Sequence, residues 1–382
     1  MEATVLAEQA LLGALLLRPR RLASTVDWLE AGHFYLPHHA ALYAAMRKLA
    51  DDGHPALADT CSSDEGFDWL TRTTALAAEE APGLAPSHAH TLVNVSPQPD
   101  HAAAYGRMVL AGHTRRSIAE HAQRLADTTR STKDPALQAE AVGAQADVLA
   151  GALDELARHW RAHPGAAPRG ISPPARELHA SGERQADEQA FLSAATTRLH
   201  ELQDIRSYLT PEDFAAPLHQ QLYRCLTALH HRGEPIDPVT MLWEAQHRGV
   251  LTGTTPETVL TICAHSGNDP SYWATRLLDH ALINAATTTA QNIERAAADP
   301  ATTPARLIAI SRRALSGLTA VRLRRHHARH GPPTPPAHPA RPPAQRSATQ
   351  PSPRNARGAP ARLGSSSLPV PAPGSAPAAH VR

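Results

Sequence analysis

Aromatic side chains are scarce in this chain: Phe, Tyr and Trp make up 4% of its 382 residues. β-Sandwiches and barrels lean on aromatic and β-branched residues, so the scarcity points to helices built from Leu and Ala. Lysine is scarcer still, with Lys48 and Lys133 the only two. Neither follows a glycine, so there is no Gly-Lys-[Ser/Thr] loop whose lysine would reach the β- and γ-phosphates of a nucleotide. GxGxxG, GxSxG and HExxH are absent too. No catalytic residue and no cofactor is expected. The three cysteines, Cys61, Cys225 and Cys263, show no CxxC spacing, which fits a reduced, cytoplasmic chain without a zinc knuckle. No apolar run approaches the roughly 18 residues of a membrane span. The longest, "ALLGALLL" at 10–17, lacks a basic flank and follows Glu2 and Glu8, so export is not expected.

What is present is unevenly distributed. The formal net charge of +1 conceals a chain without any acidic residue after Asp299, whose remainder carries thirteen arginines. The first 300 residues hold 24 basic against 36 acidic side chains, a balance of −12. Residues 331–382 contain 14 of the 34 prolines and hardly a large apolar side chain. Such a segment cannot bury enough surface to offset its ordering entropy, so a disordered, basic, Pro-rich tail is expected over 326–382. A second Pro-, Gly- and Arg-rich stretch at 161–184 reads as a linker. Two bodies remain, 1–160 and 185–325.

The bodies repeat one another at a fixed offset of 180. Glu8-Gln9-Ala10 matches Glu188-Gln189-Ala190, Phe34 matches Phe214, His39 matches His219, and Leu42-Tyr43 matches Leu222-Tyr223. Leu29 and Leu209, Gly53 and Gly233, and Pro55 and Pro235 extend the match without a gap. Shared Ala/Leu composition does not account for coinciding Phe, His, Tyr, Gly and Pro.

Each body reads as short helices followed by a long helical hairpin, so the fold class is all-α, two tandem domains of a small bundle plus a hairpin. Val5, Leu6, Leu12, Leu15 and Leu16 are expected on one broad face of the first helix, which Pro19 ends. Thr210 is an N-cap candidate before Pro211, and Gly233 and Gly249 close the two helices that follow. The hairpins span 102–129 and 271–298, each continued after "DPA" by a helix ending near Leu153 or Leu318. Phe34, Tyr43, Phe214 and Tyr223 read as core anchors. His39 and His219 read as residues that fix a turn by local hydrogen bonds.

The other histidines occur in pairs: His38-His39, His88 with His90, His230-His231 and His326-His327. Neighbours on a helix point about 100° apart, and no carboxylate or cysteine recurs at ligand spacing, so no metal site is expected. The cluster "RLRRHHARH" at 322–330 has two readings, a solvated helix end or a phosphate contact through Arg322, Arg324, Arg325 and Arg329.

The second body, from "DEQAFLSA" through "YLTPEDFAAPLHQQLYRCLTALHHRGEPIDPVTMLWEAQHRGVL", closely resembles the N-terminal domain of the DnaB-type replicative DNA helicases. The matching phrases are Glu188-Gln189-Ala190, Asp213-Phe214, His219, Leu222-Tyr223, and Gly233 with Pro235-Ile236-Asp237 and Val239-Thr240. The first body matches at Glu8 to Gly13, His33-Phe34-Tyr35, His39, Leu42-Tyr43, Gly53 and Pro55, then departs where "ALADTCSSDEG" replaces the I-D-x-V-T phrase. The resemblance implies a non-catalytic helical collar whose hairpins pair between subunits and which offers surfaces to primase and loader proteins. In that family the motor is a separate RecA-like domain; here a second collar domain takes its place. The expected role is therefore docking within the primosome, to replicative helicase, primase or helicase loader. Tethering also implies an intramolecular pseudo-dimer, with a homo-oligomer as the other arrangement. Two alternatives stand beside it: nucleic-acid binding through the Arg-rich tail, and a helicase remnant that works with a separate ATPase subunit.

Overall fold

Proline sets most of the helix starts. The computed structural model describes residues 2–58, 60–160, 182–264 and 269–331, and among them forms thirteen α-helices and no strand. In the first copy these are α1 (Glu2–Leu17), α2 (Pro37–Asp51), α3 (Ser63–Glu80), α4 (Pro86–Val95), α5 (Ala102–Thr128) and α6 (Pro135–His159). The second holds α7 (Gly182–Thr197), α8 (Leu199–Ile205), α9 (Pro217–Arg232), α10 (Pro238–His247), α11 (Pro256–Ala264), α12 (Pro270–Ala298) and α13 (Pro304–His330). Pro occupies the first turn of α2, α4, α6, α9, α10, α12 and α13, where its missing N–H costs nothing. Gly233 ends α9 in the left-handed region at φ 69°, and Asp237 caps α10 in a capping box with Thr240.

Two expected boundaries shift. Gly182–Arg184, assigned to the linker, begin α7, and Arg184 is buried and donates to Asp213 O. His326–His330, assigned to the tail, continue α13, because Arg325 and Arg329 are held by acidic side chains. The rest of the linker and residues 332–382 of the tail lie outside the described residues. The hairpin helices also run past Leu153 and Leu318, to His159 and His330.

Each copy builds a head around its first helix. In α1 every residue from Ala7 to Leu16 except Gln9 is buried, since α2, α3, α4 and α5 surround it. Leu6 is 54% exposed at the helix start, before those neighbours close in. Gly13 is required for this packing: a Cβ there would lie 2.0 Å from the Leu92 carbonyl oxygen of α4. The second head repeats the plan with Phe191, Leu192 and Leu202 packed on Leu222, Tyr223 and Leu226. At about 1.5–3 kcal/mol per large apolar side chain removed from water, these clusters supply most of each head's stability.

Candidate functional site: paired Glu–His clamps and a shared hairpin bundle

The repeated residues of the sequence converge in each head on one buried carboxylate. Glu8 accepts from the Tyr35 amide at 2.5 Å, the Leu36 amide at 3.4 Å and His39 Nδ1 at 2.8 Å. Glu188 does the same with Ala215 at 2.5 Å, Ala216 at 3.2 Å and His219 Nδ1 at 2.7 Å. Leu36 and Ala216 are the N-cap residues of α2 and α9, and neither has a side chain able to cap. The carboxylate of each copy's first helix therefore caps α2 or α9 from outside, where the helix dipole favours negative charge. Burial pushes the Glu188 carboxyl up. The His219 and amide hydrogen bonds outweigh that push and hold it below its ordinary value. Behind each clamp, Phe34 and Tyr43 stack at 5.1 Å and Phe214 and Tyr223 at 5.0 Å. Tyr43 and Tyr223 donate to the carbonyls of Leu29 and Leu209, another repeated pair, at 3.4 and 3.1 Å. All six signature residues are buried, and His39 and His219 fix a helix start.

The hairpins meet in one apolar core. Ile118, Ala122 and Leu125 of α5 and Val142, Leu149 and Leu153 of α6 pack with Leu282, Ile293 and Ala286 of α12 and Leu307, Leu318 and Val321 of α13. Both copies thus share a four-helix bundle inside a single chain. Its two outer helices differ in charge: α6 carries four acidic residues and one arginine, α13 seven arginines and no acid. Arg322 pairs with Asp147 at 2.5 Å, Arg312 with Asp154 at 2.5 Å, and Arg329 with Glu140 at 2.9 Å. Arg325 binds the buried Asp279 of α12 and donates to Ala136 O at 3.2 Å. Arg324 turns to its own head, where it pairs with Asp213 and donates to Tyr208 O at 3.0 Å. From the other side Arg115 of α5 donates to the carbonyls of Ala297, Asp299 and Thr302 at the end of α12, at 2.6–2.8 Å.

This arrangement gives the four arginines singled out as phosphate contacts a different occupation. Arg322, Arg324, Arg325 and Arg329 each hold a carboxylate within the fold, and the last three are mostly buried. The sequence cluster was visible, but its acidic partners lie 46 to 189 residues upstream and were not. The histidine pairs also differ from expectation. His38 and His39 do not diverge; both rings lie beside His88 of α4, at 4.9 and 5.6 Å. His326 instead stacks on His330 at 4.4 Å.

The profile of the DnaB-like helicase N-terminal domain matches residues 1–110 and 182–273, more than half of the chain and both heads. The chain belongs to the DnaB-like helicase N-terminal domain family. No solved structure matches the chain. The matched segments stop near the start of each hairpin, at Leu110 in α5 and Trp273 in α12. The DnaB-like heads keep their outer helices free of the bundle, and each exposes aromatic surface: Phe67 on α3 is 69% exposed and Trp243 on α10 is 63% exposed. Val239, one turn before Trp243, is 70% exposed. The corresponding helices of the two DnaB-like domains therefore present apolar side chains outward, whereas the hairpins face inward.

Proposed function

We propose that this protein acts in DNA replication by docking to a partner rather than by catalysis, as a cytoplasmic component of the primosome. The partner is the replicative helicase, its primase or its loader. The observation that carries this reading is the division of labour between the two parts of each domain. The hairpins, which the resemblance assigns to subunit pairing, are occupied by each other in one chain. The heads keep exposed aromatic anchors on α3 and α10, and buried aromatic anchors dominate binding energy at protein interfaces. The absence of a Gly-Lys-[Ser/Thr] loop from the 382 residues supports a non-catalytic role. The nucleic-acid alternative is weakened, since its four candidate arginines already pair with carboxylates.

A pull-down with immobilised full-length protein and purified helicase, primase and loader tests the proposal. Retention of at least one is expected, with Trp243→Ala weakening it by roughly tenfold or more, as truncation of a hot-spot aromatic does. Failure to retain any of the three contradicts the docking role.

A further inference from the structure

Among the described residues, the first head contains a histidine cluster without a counterpart in the second. His38 and His39 follow Pro37 in the first turn of α2, and His88 lies in the first turn of α4. One ring nitrogen from each lies within 4.8 Å of the other two. Glu8 engages His39 Nδ1, so in the neutral ring the Nε2 lone pair is left facing the cluster. That Nε2 is buried without a hydrogen-bond partner, and so is His88 Nε2. A buried polar atom without a partner requires an explanation, and two adjacent imidazoles supply the same one.

We propose that His38, His39 and His88 bind a divalent transition-metal ion, with Zn2+ the best fit. Imidazole nitrogen suits Zn2+, and three protein ligands leave a fourth position for water or a partner's side chain. Glu8 behind His39 completes the carboxylate–histidine–metal arrangement that fixes the ring and raises its basicity. Ligand nitrogens around a tetrahedral Zn2+ sit roughly 3.3 Å apart at Zn–N distances of about 2.0–2.1 Å, so a closure of an ångström or so completes the site. The positive ends of α2 and α4 oppose a cation, and the Glu8 carboxylate offsets them from behind.

The second copy isolates what is specific to the cluster. It keeps the Glu188–His219 clamp, yet Leu218 stands at the place of His38. The third residue of α11, the helix that corresponds to α4, is Thr258 instead of histidine. The clamp thus belongs to both heads, and the metal would be an addition to the first, tying α4 to α2.

Zn2+ binding by the full-length protein decides the matter. About one tightly held Zn2+ per chain is expected after dialysis against metal-free buffer, with a Zn2+-dependent rise in Tm. His38→Ala and His88→Ala lie at partly exposed positions and are expected to weaken binding by at least about tenfold, the scale for losing even a supporting partner. A His326→Ala/His330→Ala variant, which removes another close histidine pair, is expected to bind as the wild type does. No retained Zn2+ in the wild type, or unchanged retention in both His38→Ala and His88→Ala, overturns the proposal.

Discussion

Removing Glu188 would strand four donors at once. Its carboxylate satisfies the amides of Ala215 and Ala216, the ring of His219 and the buried Arg184 Nε. Leaving such donors unpaired costs far more than a typical exposed hydrogen bond contributes. Glu188→Ala is therefore expected to destabilise the protein by about 3 kcal/mol, the scale for breaking a buried charged network. Glu8→Ala should cost somewhat less, because Glu8 keeps the two amides and the histidine but has no counterpart of Arg184. Denaturant unfolding measures both, and a loss below about 1 kcal/mol in either would contradict the capping role. This part of the fold was half legible. The matched Glu and His were visible as repeats at one offset, and His39 and His219 read as turn-fixing residues. Their partnership was not, since 31 residues of intervening chain separate Glu8 from His39 and no local pattern links them.

For the individual helices, capping and periodicity were readable because they depend on neighbours in sequence. Gly233 and Gly249 follow the ends of α9 and α10, as expected, and Thr210 stands at the N-cap of a single 3-10 turn, Pro211–Asp213. The end of α13 was not readable, because it is fixed by tertiary ion pairs. "HHARH" has no apolar stripe, yet Arg325 and Arg329 attach it to Asp279 and Glu140. The excess of arginine after Asp299 gains a partial explanation in the same way: seven of the thirteen lie on α13, and Arg312, Arg322, Arg325 and Arg329 among them pair with acidic residues of α6. Exposed pairs of this kind contribute little individually, about 0–1 kcal/mol, but their sign selects which hairpin pairs with which. Reversing one partner, Asp147→Arg, is expected to lower stability by about 1 kcal/mol, and adding Arg322→Asp to restore most of it. A double-mutant cycle without coupling would remove the electrostatic contribution to the seam.

Across the whole molecule, both heads and both hairpins form one compact unit. The apolar faces of α5, α6, α12 and α13, which would otherwise need another subunit, cover each other. A short tether between the copies raises their effective concentration to the millimolar range, which favours pairing within the chain over pairing between chains. The family profile covers the heads and stops near the start of each hairpin.

Cross-linking tests that intrachain bundle most directly. Cys61 is the exposed native thiol, whereas burial pushes the Cys225 and Cys263 thiols up to about 11 and about 12, leaving them unreactive. In a Cys61→Ser background, Asp147→Cys and Arg322→Cys place one thiol on each side of the seam, to be joined by a short bismaleimide in dilute solution. An internally linked species with the mass of one chain, 40.8 kDa, is the expected product. Linkage only between chains, giving twice that mass, would contradict the account.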